Sequence, residues 1–282
     1  MRAAAYAKIN IALAVHSVTA DGFHSLRGLF QSVSLFDTIE IERASSDSVI
    51  VSNDEAPANE TNLGWLALDA VRRATRVSTP TRLSITKRIP SGAGLGGGSA
   101  DAAAVIGLFA QTGAIDEELA MEIAASLGSD VPFALNGGTA LVRGRGEMVD
   151  PVEPLDGFAL ALVVPPFSLS TRDVFQEWDR LDGPVGDPVA DSRLPPTLRG
   201  MEPIGNDLFP AALSLDPRIG EWRDELTTLW GTTVCMTGSG SGLFGFFGSI
   251  DEATDATNAV SMPVRAAEAL NLMDRGWNKL DD

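Results

Sequence analysis

From Ala7 to Val15 the chain alternates apolar positions with polar or small ones, which predicts a strand. Ile9, Ile11, Leu13 and Val15 fall on one face, and Lys8, Asn10, Ala12 and Ala14 on the other. Phe30 to Leu35 and Thr38 to Glu42 predict two further strands, with Asp37 as the break between them. Thr61 or Asn62 is placed to cap a helix carrying Leu63, Leu66, Ala67, Ala70 and Val71, and Arg82 to Lys87 returns as an alternating strand. Ala100 to Gln111 predicts a helix of small residues ended by Gly113. A second helix runs from a cap at Asp116 through Leu119, Ile123 and Leu127 to Gly128.

Thr139 to Arg143 and Glu147 to Val149 flank a Gly-Arg-Gly turn, and the prolines and acids of Asp150 to Gly157 read as a connection. The pattern therefore divides the chain into residues 1–150 and 151–282. Phe158 to Val164 predicts a buried strand, Val174 to Leu181 a helix, Asp182 to Pro196 a loop, and Thr232 to Asn271 a closing strand-and-helix pattern.

Length and composition narrow the function. At 282 residues and 44% hydrophobic, the chain has enough apolar content for a sizeable core, as two lobes or as one large α/β unit. A net charge of -17 repels nucleic acid and anionic membranes, so neither is an expected partner. Small anionic substrates stay open, because local cations and amides outweigh a distant field screened over about 8 Å. Only Lys8, Lys87 and Lys279 are lysines, and the first two lie in or beside the motifs below. Met1 to Tyr6 lacks a secretory pattern and no long apolar run exists, which predicts a cytoplasmic protein. The single Cys235 is expected to be a packing residue in a reducing compartment, and His16 and His24 are too few for a histidine-rich metal site.

Between a strand and a helix lies RIPSGAGLGGGSADAAAV, with Gly92, Gly94, Gly96, Gly97 and Gly98. Bare backbone there lets amides approach phosphate oxygens, and the helix start adds partial positive charge. A tight turn alone explains two glycines more easily than five. No Gly-Lys-Ser/Thr closes the loop, so it is not a Walker A motif. Gly92, Gly94 and Gly97 do satisfy GxGxxG, with Asp116 near the expected acid, which keeps a dinucleotide-dependent oxidoreductase in play. Against it, the preceding strand alternates and Pro90 interrupts its exit.

PSGAGLGGGSA, preceded by AKINIALAV and followed late in the chain by TGSGSGLF, resembles the GHMP kinase superfamily in three ordered motifs. ADGFHSLRGLFQSVSLFDTIEI, TNL at Thr61 to Leu63, LGSDVPF at Leu127 to Phe133, and Asn206-Asp207 are similar to its branch acting on 4-diphosphocytidyl-2-C-methyl-D-erythritol in isoprenoid-precursor synthesis. The resemblance is dense over residues 7 to 150 and scattered beyond them. It implies a two-domain α+β fold, with a ribosomal-protein-S5-domain-2-like N-terminal lobe and a ferredoxin-like α/β C-terminal lobe. It also implies ATP and Mg²⁺ as cofactors, a small cytidine diphosphate alcohol as acceptor, phosphorylation of its 2-hydroxyl, and a monomer or weak homodimer. Mevalonate-type and homoserine-type kinases, and a catalytically silent nucleotide-binding module, are the rival readings.

Residue roles follow from the same resemblance. Asp130, by residue type a helix-start acid, becomes the proton acceptor, and Lys8, otherwise a solvated strand lysine, bridges it to the transferring phosphoryl group. Asn62, Lys87, Pro90, Ser91, Gly92, Ala93, Gly94, Leu95, Gly96, Gly97, Gly98, Ser99, Gly238 and Ser239 are the expected ATP contacts, with Ser99 a candidate Mg²⁺ ligand. Asn10, Phe23, His24, Thr171 and Phe175 are the expected acceptor contacts, His24 reading cytosine and Phe23 standing where the family carries Tyr.

Overall fold

A long hairpin organises the first half of the molecule: β1, Arg2–Val18, pairs antiparallel with β2, His24–Arg43. The computed structural model describes residues 1–18, 22–53, 55–186, 188–200 and 204–281. Two expectations for this hairpin need correction. β2 does not stop at Asp37, because the fully buried carboxylate accepts from Lys87 Nζ and from the Arg88 and Ile89 amides, so the strand continues through it. β1 does not keep one alternation. Asn10 faces Phe30 and Ala12 faces Leu29, so Ile11 is an extra residue. That bulge leaves Ile9 and Ile11 in one core and sends Leu13 and Val15 into another, onto the side of Lys8 and Asn10.

The first half continues through β3 (Ser48–Val51), α1 (Leu63–Thr75), β4 (Thr81–Thr86), α2 (Gly97–Gln111), α3 (Glu117–Leu127), α4 (Val131–Asn136), β5 (Thr139–Gly144) and β6 (Met148–Pro151). The caps match the sequence reading: Asn62 Oδ1 accepts from the Gly64 and Trp65 amides, and Asp116 accepts from Leu119. α2 begins three residues earlier than its alanine run suggested, inside the glycines, with Gly96 in the left-handed region as its N-cap. Ala100 and Ala102 to Leu108 are buried, since small side chains let α1, α3, α4 and the sheet close around α2.

The second half holds β7 (Ala159–Val164), α5 (Thr171–Arg180), α6 (Phe209–Leu215), α7 (Arg218–Trp230), β8 (Val234–Met236), β9 (Leu243–Phe247), α8 (Ile250–Asn258), β10 (Ala266–Leu270) and β11 (Trp277–Lys279). α6, α7, β3 and β11 were not expected from the sequence. Part of the 182–196 loop, Asp187, lies outside the described residues.

Among the described residues the strands form two sheets. One is seven-stranded, ordered β11-β1-β2-β4-β3, with β5 pairing β2 and β6 pairing β5; the other is ordered β10-β7-β9-β8. β4 and β5 share one edge of β2, over Thr38–Arg43 and Leu26–Gln31 respectively, which leaves Asp37 at the gap between them. The chain's last strand returns to the first sheet, against Ala3 to Ala5. No helix among the described residues is long and apolar enough to cross a membrane.

Candidate active site

The loop between β4 and α2 turns its two sets of backbone groups in different directions. Its carbonyls are tied down: Gly92 O accepts from Ser241 N, Ala93 O from Gly242 N, Gly94 O from Thr237 Oγ1, and Leu95 O from Lys8 N. None of the amides from Gly92 to Ser99 has a protein acceptor among the described residues. Backbone donors in this state need an anion or water. Gly94, at φ 73°, touches the Thr237 carbonyl so closely that a Cβ would overlap it. The loop's first amide differs, since Ser91 N donates to Glu55 Oε2 at 2.6 Å and Glu55 is held by Arg265 at 3.0 Å.

On one side of the loop stand the two residues expected to act on the acceptor. Lys8 Nζ lies 3.3 Å from Asp130 Oδ2 and donates to Asn10 Oδ1 at 2.7 Å. A Cβ on Gly96 would sit 3.1 Å from Lys8 Cγ and 3.7 Å from Asp130 Oδ2, so the start of α2 lies directly on this pair. Asp130 comes from the turn between α3 and α4 and makes no capping bond of its own. Its side chain is 30% exposed against 8% for Lys8, which leaves the carboxylate accessible and the ammonium enclosed.

Thr237 clips three segments together. Its hydroxyl accepts from Asn10 N at 3.0 Å and donates to Gly94 O at 3.1 Å, joining β1, the glycine loop and the turn after β8. Asn206 Nδ2 donates to the Met236 and Gly238 carbonyls, both at 2.8 Å, and Asp207 Oδ2 accepts from Val15 N. Gly238 packs back on Asn10, and Ser239 Oγ lies 2.8 Å from Thr171 Oγ1.

Two of the expected ATP contacts commit their side chains to protein partners. Lys87 runs beneath the loop, where its ammonium meets Asp37 Oδ2 at 2.5 Å and Asp101 Oδ2 at 2.8 Å with 3% of the side chain exposed. Burial pulls the Lys87 ammonium down, but the two carboxylates outweigh it and hold it above its ordinary value. Burial, and then Asp37, push Asp101 up to about 8 against the pull of Lys87. Asn62 spends its amide on the α1 cap and on Pro57 O. Buried Pro90 is followed by the exposed Ser91.

The expected acceptor contacts split as well. His24 and Phe175 meet, with ring centroids 5.1 Å apart, and Trp178 closes edge-on at 5.4 Å. His24 Nε2 lies 2.8 Å from Asp179 Oδ1. Phe23 is 54% exposed, with the Arg145 guanidinium 5.4 Å from its ring centre.

The family model for the GHMP kinases N terminal domain matches residues 62–138. Over 265 residues, 91% of this chain and 92% of the relative, the sequence is 35% identical to the 4-diphosphocytidyl-2-C-methyl-D-erythritol kinase of Carboxydothermus hydrogenoformans. It is 39% identical over 253 residues to the enzyme of that name from Moorella thermoacetica, covering 86% and 88% of the two chains. The chain belongs to the 4-diphosphocytidyl-2-C-methyl-D-erythritol kinase family. A crystal structure of a 4-(cytidine 5'-diphospho)-2C-methyl-D-erythritol kinase superposes with a TM-score of 0.79 at 34% identity, covering 96% of this chain and 99% of that one. The two-domain α+β fold of the GHMP kinases is thus present throughout.

Several residues that build this candidate site were not singled out from the sequence. Asp37 was taken for a strand break, and Asp101, Thr237 and Asp179 drew no attention as individual side chains. A carboxylate inside an otherwise alternating strand is a weak signal of a buried pair. Asp101, four residues beyond Gly97, and Asp179, on a helix face, carried none. Burial pushes the Cys235 thiol up to about 12, so it is a neutral packing group.

Proposed function

We propose that this chain transfers the γ-phosphoryl group of ATP to the 2-hydroxyl of 4-diphosphocytidyl-2-C-methyl-D-erythritol, in the methylerythritol phosphate route to isoprenoid precursors. The observation that carries the reading is the seat of Lys8 and Asp130 directly against Gly96, where a row of uncommitted amides ends in a helix start. Those amides take the phosphates, and a hydroxyl near Gly96 lies within reach of the Asp130 carboxylate. Phosphoryl transfer has a loose transition state, so the hydroxyl need lose little of its proton before the phosphoryl group has largely left ADP. The Asp130 carboxylate therefore need only accept that proton late, and positioning supplies most of the rate. The proton of the 2-hydroxyl passes to Asp130, its oxygen bonds to phosphorus, and Lys8 balances charge on the moving oxygens.

Mg²⁺ fits this arrangement as an ion that arrives on the nucleotide. Among the described residues no group of three or more His, Cys, Asp or Glu could hold a metal, whereas the Ser99 hydroxyl has no protein partner in the first turn of α2. Ser99 would hold it together with phosphate oxygens and water, and the ion would neutralise phosphate charge.

The test is ADP release with and without the cytidylyl alcohol. Wild-type protein releases ADP only with the alcohol, and Asp130→Asn lowers kcat by about 10²–10⁴ while ATP binding and folding persist. Equal ADP release without the alcohol, or an unchanged kcat in the variant, sinks the proposal.

A further inference from the structure

His24 sits in an aromatic recess whose floor is α5. Its ring is tilted 33° against Phe175 and perpendicular to Trp178, and only 12% of the side chain is exposed. Its two nitrogens have different surroundings. Nε2 lies 2.8 Å from Asp179 Oδ1, whereas Nδ1 has no partner among the described residues. A carboxylate can only accept, so the hydrogen between Asp179 and His24 belongs to Nε2. In the neutral ring Nδ1 is then left as a lone-pair acceptor.

We propose that Asp179 is a positioning residue that sets the base preference of the acceptor site by holding His24 in this tautomer. An acceptor in the recess pairs with an exocyclic amino group, as on cytosine, and repels the carbonyl that uracil carries at the same position. The proposal rests on the cytidine reading above and deepens it. Helix α5 connects the recess with the chemistry: Thr171, at its start, meets Ser239 of the turn that packs on Asn10, and Asp179 lies eight residues further on. At 1.5 Å per residue that is about 12 Å along the axis, a span that a ribose and diphosphate can bridge. Thr171 and Phe175 share one face, and Trp178 and Asp179 continue it a turn later. Asp179 is half exposed and at the end of the helix, so its removal leaves the core of the lobe intact.

Two measurements test this. With His16 as the only other histidine, nitrogen-15 spectra of the full chain resolve the His24 ring without ambiguity. Wild-type protein shows hydrogen on Nε2, and Asp179→Ala shifts the ring toward a mixture of tautomers. In turnover, wild-type protein prefers the cytidylyl alcohol to its uridylyl counterpart by about 10²-fold or more in kcat/KM. Asp179→Ala lowers that ratio by about tenfold, the size of one misdirected hydrogen bond, and Asp179→Glu restores it. A variant ratio within about twofold of wild type, or hydrogen on Nδ1 in the wild-type ring, overturns the role of Asp179 and leaves the cytidine reading standing. No pyrimidine preference in wild-type protein overturns both.

Discussion

Two lysine–aspartate contacts flank the glycine loop, and they are built to opposite specifications. Beneath it, Lys87 is closed in by Asp37 and Asp101 with almost no exposure. Beside Gly96, Lys8 faces an Asp130 that is 30% open to solvent. The lower cluster spends its hydrogen bonds on the protein: Asp37 Oδ1 also accepts the Arg88 and Ile89 amides at 2.5 and 2.9 Å, fixing the backbone that leads into the loop. The upper pair keeps a carboxylate uncommitted. The same residue types therefore make a foundation where water is excluded and, in the function proposed above, a reactive site where a ligand can enter. Exposure of the acid, more than the presence of a lysine, separates the two.

If that division is right, the largest effect of any single change falls on stability at the lower cluster. Lys87→Met leaves the Asp37 carboxylate buried without a counter-charge, beside a protonated Asp101, and costs about 3–5 kcal/mol. Thermal unfolding registers this as a fall of about 10 °C or more for a chain of this size. Adding Asp37→Asn recovers part of it, because a neutral amide removes the stranded charge. A Lys87→Met protein as stable as wild type, with only its KM for ATP raised, would return Lys87 to the role of a direct nucleotide contact.

Lys8→Met carries the next effect, and it falls on turnover. Removing the charge lowers kcat by about 10²-fold while stability moves by about 1 kcal/mol or less, because Asp130 stays hydrated and Asn10 keeps its contact with Thr237. Steady-state kinetics beside a melting curve separate the outcomes. A loss of stability as large as that of Lys87→Met would erase the distinction between the two sides of the loop.

How far these roles could be read beforehand depended on whether the signal was local. Asn62 and Asp116 as caps, the α3 stripe and the run of glycines between β4 and α2 are written in short stretches, and each appears where it was expected. Ile11 as a bulge was not legible, because its cause is the pairing of Asn10 with Phe30 and Ala12 with Leu29 on a different strand. Asp37, Lys87 and Asp101 are separated by 50 and 14 positions, and only the gap between β4 and β5 along β2 brings them together. Thr237 is 227 residues from the Asn10 amide it caps. Resemblance located motifs in such cases, but it could not say that Lys87 points under the loop.

A separate effect is a slope in the pH dependence of stability, and it comes from Asp101. Its carboxyl is 1% exposed, and Oδ1 finds no partner while Oδ2 meets Lys87. Burial and Asp37 raise it to about 8 in the folded protein, against an ordinary 3.8 when the chain is unfolded. Between those values the folded state holds the extra proton, so this group's contribution is complete below about pH 4 and declines as pH rises through about 8. Lys87, raised above its ordinary 10.5, keeps its contribution until more alkaline pH and adds no slope in that window. Denaturant unfolding from pH 5 to 9 should therefore show wild-type stability falling relative to Asp101→Asn, with the two curves converging in shape above pH 8. Parallel curves across the whole range would mean that Asp101 stays ionised beside Lys87, and that the cluster carries two full negative charges around one positive.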